Sequence, residues 1–302
     1  MNKLFKVLFF LAFLWILSYG IAYIVVSDNT ISSEDTIAVI PINGMITLNG
    51  GSTLLQSSTS ANTIVEKINE ASANENVKAI VFEINSPGGT VMGSKKLADA
   101  IDNIEKPTVA VITEYGTSGA YWAASQTDYI IADELSIVGS ISVLGSYLDF
   151  SGLLNDYNIT YQRLVTGDYK DLSSPYKELT DDERDRLMLR LDAIHDYFVD
   201  DVAEGRSMSR EELDELSEGL FYIGLNSIDI GLIDGLGDKD TGIEKAKELS
   251  NVTNGEVTEY TEEESWFDSF VTYSAYSSFH IGQGIGSVII NAESNQDLQI
   301  NL

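Results

Sequence analysis

The chain has 302 residues, 44% of them hydrophobic, which is enough to bury a full core in one large domain or two small ones and too apolar for a disordered protein. Its 47 acidic residues against 18 basic ones give a formal net charge of -29, which repels nucleic acid and anionic head groups and argues against nucleic-acid binding. The absence of cysteine removes disulfides, thiolate metal sites and a cysteine nucleophile, and histidine occurs only at His195 and His280.

From Val7 to Val26 the chain carries no charge, and this length suits a helix crossing a hydrocarbon core. Bulky Ile24, Val25 and Val26 run straight to Ser27, which favours an uncleaved anchor over a signal peptide ending at small residues. Lys3 and Lys6 precede the span, whereas Asp28, Glu34 and Asp35 follow it, so residues 1–6 are expected in the cytoplasm and the rest outside the cell membrane. A polar linker, 27–35, leads into a folded domain expected over 36–250, with a tail of uncertain structure at 251–302.

The domain opens with two short β-rich runs around the turn at Asn43-Gly44. Residues 61–73 have helical spacing, and VKAIVFEI reads as a buried parallel strand broken by NSPGG. A helix over 90–104, the strand TVAVIT, the turn at Gly116, a short helix and the strand DYIIA continue the alternation. This predicts an α/β fold with right-handed crossovers, whose ligands bind beyond the carboxyl ends of the strands. ITYQRLV, residues 159–165, predicts a further strand, and the capping box at Thr180 starts a long helix running to about residue 202.

Both NSPGG and GTSGA fall at strand ends. Ser118 stands at a strand-to-helix turn, where serine serves either as a plain N-cap or as a nucleophile facing helix-terminal N–H groups. The glycines Gly88 and Gly89 fit either an ordinary turn or an oxyanion hole. A nucleophilic serine needs a base, and neither histidine is well placed. A lysine with lowered pKa can take that role, and Lys170 in GDYKDLSSP is the candidate, although lysines in polar loops are commonly just solvated.

The ordered set NSPGG, GTSGAYWAAS, VGSISVLG and GDYKDLSSP, behind an apolar N-terminal span, closely resembles the signal peptide peptidase A family over residues 36–249. Members are membrane-bound serine peptidases related in fold to Clp protease and crotonases. The resemblance implies repeated ββα units around a parallel sheet, preceded by one transmembrane helix. It makes Ser118 the nucleophile and Lys170 the general base, with the N–H groups of Gly89 and Gly119 as the oxyanion hole and Gly88 as the turn that aims them. Ser140 matches a serine that hydrogen-bonds the lysine in relatives, and Ser142 departs from the family's usual glycine. The resemblance also implies rings of subunits whose dyads are completed between neighbours, with no metal or nucleotide cofactor. Tyr121, Trp122, Val143 and Leu144 lie close in sequence to these motifs and are expected as apolar pocket walls.

The expected activity is cleavage of signal-peptide remnants and similar apolar peptide segments, with membrane lipid contacted through the N-terminal helix. Alternatives are a related Ser-Lys peptidase cutting a stomatin-type membrane protein, a crotonase-like acyl-CoA enzyme, and an inactive scaffold that has kept the fold.

Overall fold

The computed structural model describes residue 10 and residues 12–18, 35–53 and 56–261. Of the expected span over 7–26, the described residues are helical and the others lie outside the described set, as do residues 262–302 of the tail, including His280. Among the described residues no helix is long and apolar enough to cross a membrane. The chain divides into two compact units, Met1–Tyr260 and Thr261–Leu302, and the elements that follow all belong to the first.

Strands β1 (Thr36–Asn43), β5 (Val77–Ser86), β6 (Thr108–Thr117) and β7 (Tyr129–Ala132) form the centre of one twisted sheet. Its order is β10-β7-β6-β5-β1-β11, where β10 is Gly235–Leu236 and β11 is Glu256–Glu259. Each pairing along that path is parallel. β8 (Ile137–Gly139) continues beside the far end of β6, and β9 (Phe221–Ile223) pairs antiparallel with β8. A second, small sheet joins β2 (Met45–Thr47), β3 (Gly51–Thr53) and β4 (Gln56–Ser60). The result is a mixed α/β fold with a largely parallel sheet, as expected.

Parallel strands joined by helical crossovers are covered on both faces, so their sequences are apolar throughout. β1 shows the division, since successive side chains point to opposite faces. Ala38, Ile40 and Ile42 enter a core shared with α1 (Ala61–Ala73), α2 (Val91–Asp102), α3 (Gly119–Ser125) and α5 (Asp181–Arg206). Ile37 and Val39 enter the opposite one, closed by Ile243 and Ala246 of α8 (Lys239–Ser250). Three short helices complete the set: α4 (Ser151–Asp156), α6 (Arg210–Asp214) and α7 (Gly224–Ser227).

Two regions differ from the sequence-based expectation. Residues 159–165 form no strand; they are irregular and mostly exposed, with Leu164 at 94% exposure, and no described strand pairs with them. Alternating apolarity supplies a face to bury, but a strand also needs an edge to bond. Conversely, the ordered sheet continues past residue 250. β11 binds the outer edge of β1, with Thr36 opposite Glu256.

The long helix α5 begins as its capping box predicts. Thr180 Oγ1 accepts from the Glu183 N–H, and Glu183 accepts from the Thr180 N–H in return. The ammonium of Lys177, paired with Glu183, holds this carboxyl below its ordinary value of 4.5, and the Thr180 N–H adds to the effect. A depressed carboxyl stabilises the fold above its ordinary titration range, and that contribution is lost as the pH falls through the folded-state value. Glu183→Gln should therefore lower resistance to urea at pH 7, and the gap from the parent should close on acidification below about pH 4. A gap unchanged between pH 7 and pH 3 would contradict this role.

Candidate active site

The site forms where two neighbouring strands end. β5 and β6 run side by side with Ile84 opposite Ile112, and a register shift then brings Ser86 opposite Gly116. The turns after both strands are thereby brought together.

Ser118 caps α3 with φ 52° and ψ -127°, a conformation of order 1–3 kcal/mol above the ordinary basins for a residue with a side chain. The surroundings impose it. Its N–H donates to Gly139 O at 2.7 Å, and its carbonyl accepts from Trp122 N–H at 3.0 Å. Its side chain makes no capping hydrogen bond, which separates it from an ordinary N-cap serine. The half-buried hydroxyl instead lines a cavity of about 670 Å³.

Opposite it lies the Ser86–Thr90 turn. Gly88 has φ +91°, and a Cβ there would sit 2.7 Å from Gly119 N and 2.8 Å from Thr117 O. Gly89 is bridged to Ile46 of β2: Ile46 N–H donates to Gly88 O, and Thr90 N–H donates to Ile46 O, both at 2.8 Å. In extended backbone, alternate polar groups face opposite sides, so this bridge turns Gly89's own N–H away from β2. Gly119 is the first residue of α3, where an N–H has no intrahelical acceptor. A Cβ on Gly119 would lie 3.5 Å from Gly89 N. The two N–H groups that the resemblance assigns to an oxyanion hole thus belong to adjoining turns beside Ser118.

The expected residues separate into those brought together and those not. Ser118, Gly88, Gly89, Gly119, Ser140, Trp122, Val143 and Leu144 all line the cavity. Tyr121 does not: it is fully buried in the core, its hydroxyl donating to Leu232 O at 2.7 Å, and burial pushes its phenol well above the ordinary range. Packing the face of α3 that turns toward the sheet accounts for it. Ser140 has φ 50° and donates from Oγ to Gly219 O at 3.2 Å. Lys170 is exposed in the turn after Gly167, outside the set of lining residues, with no hydrogen bond or ion pair from its ammonium. His195 is bonded through Nε2 to Ser217 O at 2.9 Å and also lies outside the lining set.

Sequence reading missed several cavity residues. Ile194 and Phe198 come from α5, far along the chain; Phe198 stacks on Trp122 with centroids 4.5 Å apart, and Trp122 Nε1 donates to Asp201 at 2.6 Å. Ser94 of α2 is buried against Gly119, its hydroxyl without a partner, and it fills the space that a Cβ on Gly119 would need. Small residues at 93 and 94 were the available signal. With Met45, Val91, Val143 and Leu144, these residues give the cavity a mainly apolar wall. None of the lining side chains carries a titratable group.

Comparison with known proteins identifies the family. The sequence model of peptidase family S49 matches residues 100–253, and that of Clp protease matches residues 44–131. A Methanocaldococcus jannaschii protein bearing the name of a protease is 33% identical over 231 residues, 76% of this chain and 74% of that protein. An Enterococcus faecium protein named for signal peptide peptidase SppA is 30% identical, covering 79% of this chain and 70% of its own length. Protease 4 of Haemophilus influenzae is 28% identical over 71% of this chain and 35% of that protein. With the family's match spanning half of the chain, and with a serine at a strained turn beside two backbone donors, the chain belongs to peptidase family S49, the signal peptide peptidase family, and is a serine peptidase.

Proposed function

We propose that the protein is a membrane-anchored Ser-Lys endopeptidase that cleaves apolar peptide segments such as signal-peptide remnants, with its catalytic domain outside the cell membrane. One observation carries the dyad: the cavity lined by Ser118, Gly89 and Gly119 has no titratable lining residue, while Lys170 stands exposed with its ammonium unpaired. A serine hydroxyl needs a base to attack, so the base must enter from outside the lining set. Lys170 supplies it from a neighbouring copy of the chain. Exposed Leu144, Leu148, Leu153 and Leu164, in and around the irregular segment between β8 and α5, support a homo-oligomer that covers them.

In this mechanism Ser118 Oγ attacks the scissile carbonyl while neutral Lys170 takes the hydroxyl proton. The carbonyl oxygen becomes an oxyanion held by the Gly89 and Gly119 N–H groups. Lys170 then returns the proton to the leaving amine, and water repeats the sequence on the acyl-enzyme. The apolar walls favour apolar side chains beside the cut. The uncharged run over residues 7–26 supplies the anchor and keeps the domain near substrates released in the bilayer.

Ser118→Ala and Lys170→Ala should each reduce peptide cleavage at least about 1,000-fold, and the double variant should be no worse, because members of one catalytic unit are non-additive. Lys170→Arg should not restore activity, since guanidinium stays protonated. A folded Lys170→Ala protein cleaving at near parental rate would remove the lysine from the mechanism.

Trp122→Ala enlarges the cavity beside Ser118 and removes the stack on Phe198. It should shift the preferred residue before the cut toward larger side chains, read by peptide-library profiling. An unchanged profile in a folded variant would assign Trp122 to packing alone.

A further inference from the structure

A base that arrives from an exposed loop must be held in place by that loop, and the contacts on either side of Lys170 show how. Arg163 donates from Nε and Nη2 to the two carboxylate oxygens of Asp171, each at 2.8 Å, and from Nη2 to Asp168 O at 3.0 Å. On the other side, Tyr169 donates its hydroxyl to Asp182 Oδ2 at 2.8 Å. The same carboxylate oxygen accepts Arg186 Nε at 3.0 Å, and the Arg186 guanidinium lies over the Tyr169 ring, 4.2 Å from its centroid. The Lys170 N–H itself donates to Gly167 O at 3.2 Å, closing the turn. Both chain neighbours of Lys170 are therefore tied down, Asp171 through a bidentate fork to Arg163 within the same irregular segment and Tyr169 to the first turns of α5.

Isolated exposed ion pairs contribute little to stability, and these pairs are partly exposed. Their arrangement matters more: they bracket one residue in a stretch without regular secondary structure and leave that residue's ammonium free. Holding a catalytic group in its reacting geometry avoids paying its ordering entropy at each turnover.

We propose that the Arg163–Asp171 fork and the Tyr169–Asp182–Arg186 cluster form a two-sided clamp that preorganises Lys170 for proton transfer, so that these five side chains are positioning residues of the peptidase reaction. The inference rests on Lys170 being the base. The guanidinium of Arg163 holds the Asp171 carboxyl below its ordinary range, and Arg186 followed by Tyr169 does the same for Asp182, which favours the ionised form of both anchors.

The test measures the acylation rate of Ser118 by a serine-directed probe, together with kcat and KM for an activated peptide ester, in the full chain. Arg163→Gln and Tyr169→Phe should each lower kcat and acylation about tenfold or more with KM within about twofold. In a Lys170→Ala background neither change should lower the residual rate further, because a clamp acts only through the residue it holds. Near-parental kcat in both variants, with Lys170→Ala inactive, overturns the clamp and leaves the dyad standing. Equal proportional losses with and without Lys170 also overturn it, assigning the contacts to general folding. A fully active Lys170→Ala enzyme removes the dyad and the clamp together. If Arg163→Gln does not fold, as judged by near-ultraviolet circular dichroism, Arg163→Lys keeps the charge but loses the fork. A lower kcat is expected there, and a parental kcat overturns the proposal.

Discussion

The site depends on how closely two strand-to-helix turns approach. The turns after β5 and β6 leave no room for a side chain at Gly88, whose added Cβ would meet the Gly119 nitrogen and the Thr117 carbonyl. At Gly89 the obstruction is the Ile46 backbone, and at Gly119 it is the Ser94 side chain. A parallel pair with a register shift sets the two turns side by side, and the Ile46 bridge fixes the rotation of the Gly89 peptide. The neighbourhood of the two unpaired N–H groups is thus a consequence of backbone packing. The same crowding holds Ser118 in its strained conformation, with its amide bonded to Gly139 and its hydroxyl left free of the capping role. Strain of this kind persists only where several contacts over-determine it.

Helix α5 connects the cavity to the loop of the proposed base. Its first turns hold Asp182 and Arg186, which anchor the loop carrying Lys170. Further along, Ile194 and Phe198 close the cavity, and Asp201 takes the Trp122 indole N–H. One rigid element therefore relates the pocket wall to the lysine loop. Within a single chain Lys170 is outside the lining of its own cavity, so the proposed dyad draws its lysine from another copy. An apolar pocket in a chain of net charge -29 is also a local exception, kept by residues drawn from three helices, the start of β2 and the loops between elements.

Much of this was legible in the sequence, for identifiable reasons. NSPGG and GTSGA are visible because glycine at a strand end reports a steric requirement that few other residues meet. The start of α5 is visible because its capping box is local. Residues that reach the site through tertiary packing carry no such mark: Ile194 and Phe198 read as one face of an amphipathic helix, and Ser94 as a small helical residue. Tyr121 was adjacent to the right motif but on the wrong face of α3. The run over 159–165 has a strand's periodicity and no partner strand, whereas β11 has a partner and a weak pattern, since its residues are exposed. Pairing depends on what lies alongside, and one segment's sequence does not contain that information.

The central claim is that Ser118 and Lys170 act as one dyad contributed by two copies of the chain. Mixing Ser118→Ala and Lys170→Ala proteins, each inactive alone, tests it directly, with native mass spectrometry confirming that mixed assemblies form. The account predicts that peptide cleavage returns in the mixture, because some sites then combine an intact serine from one chain with an intact lysine from the other. Mixed assemblies that remain inactive would contradict it.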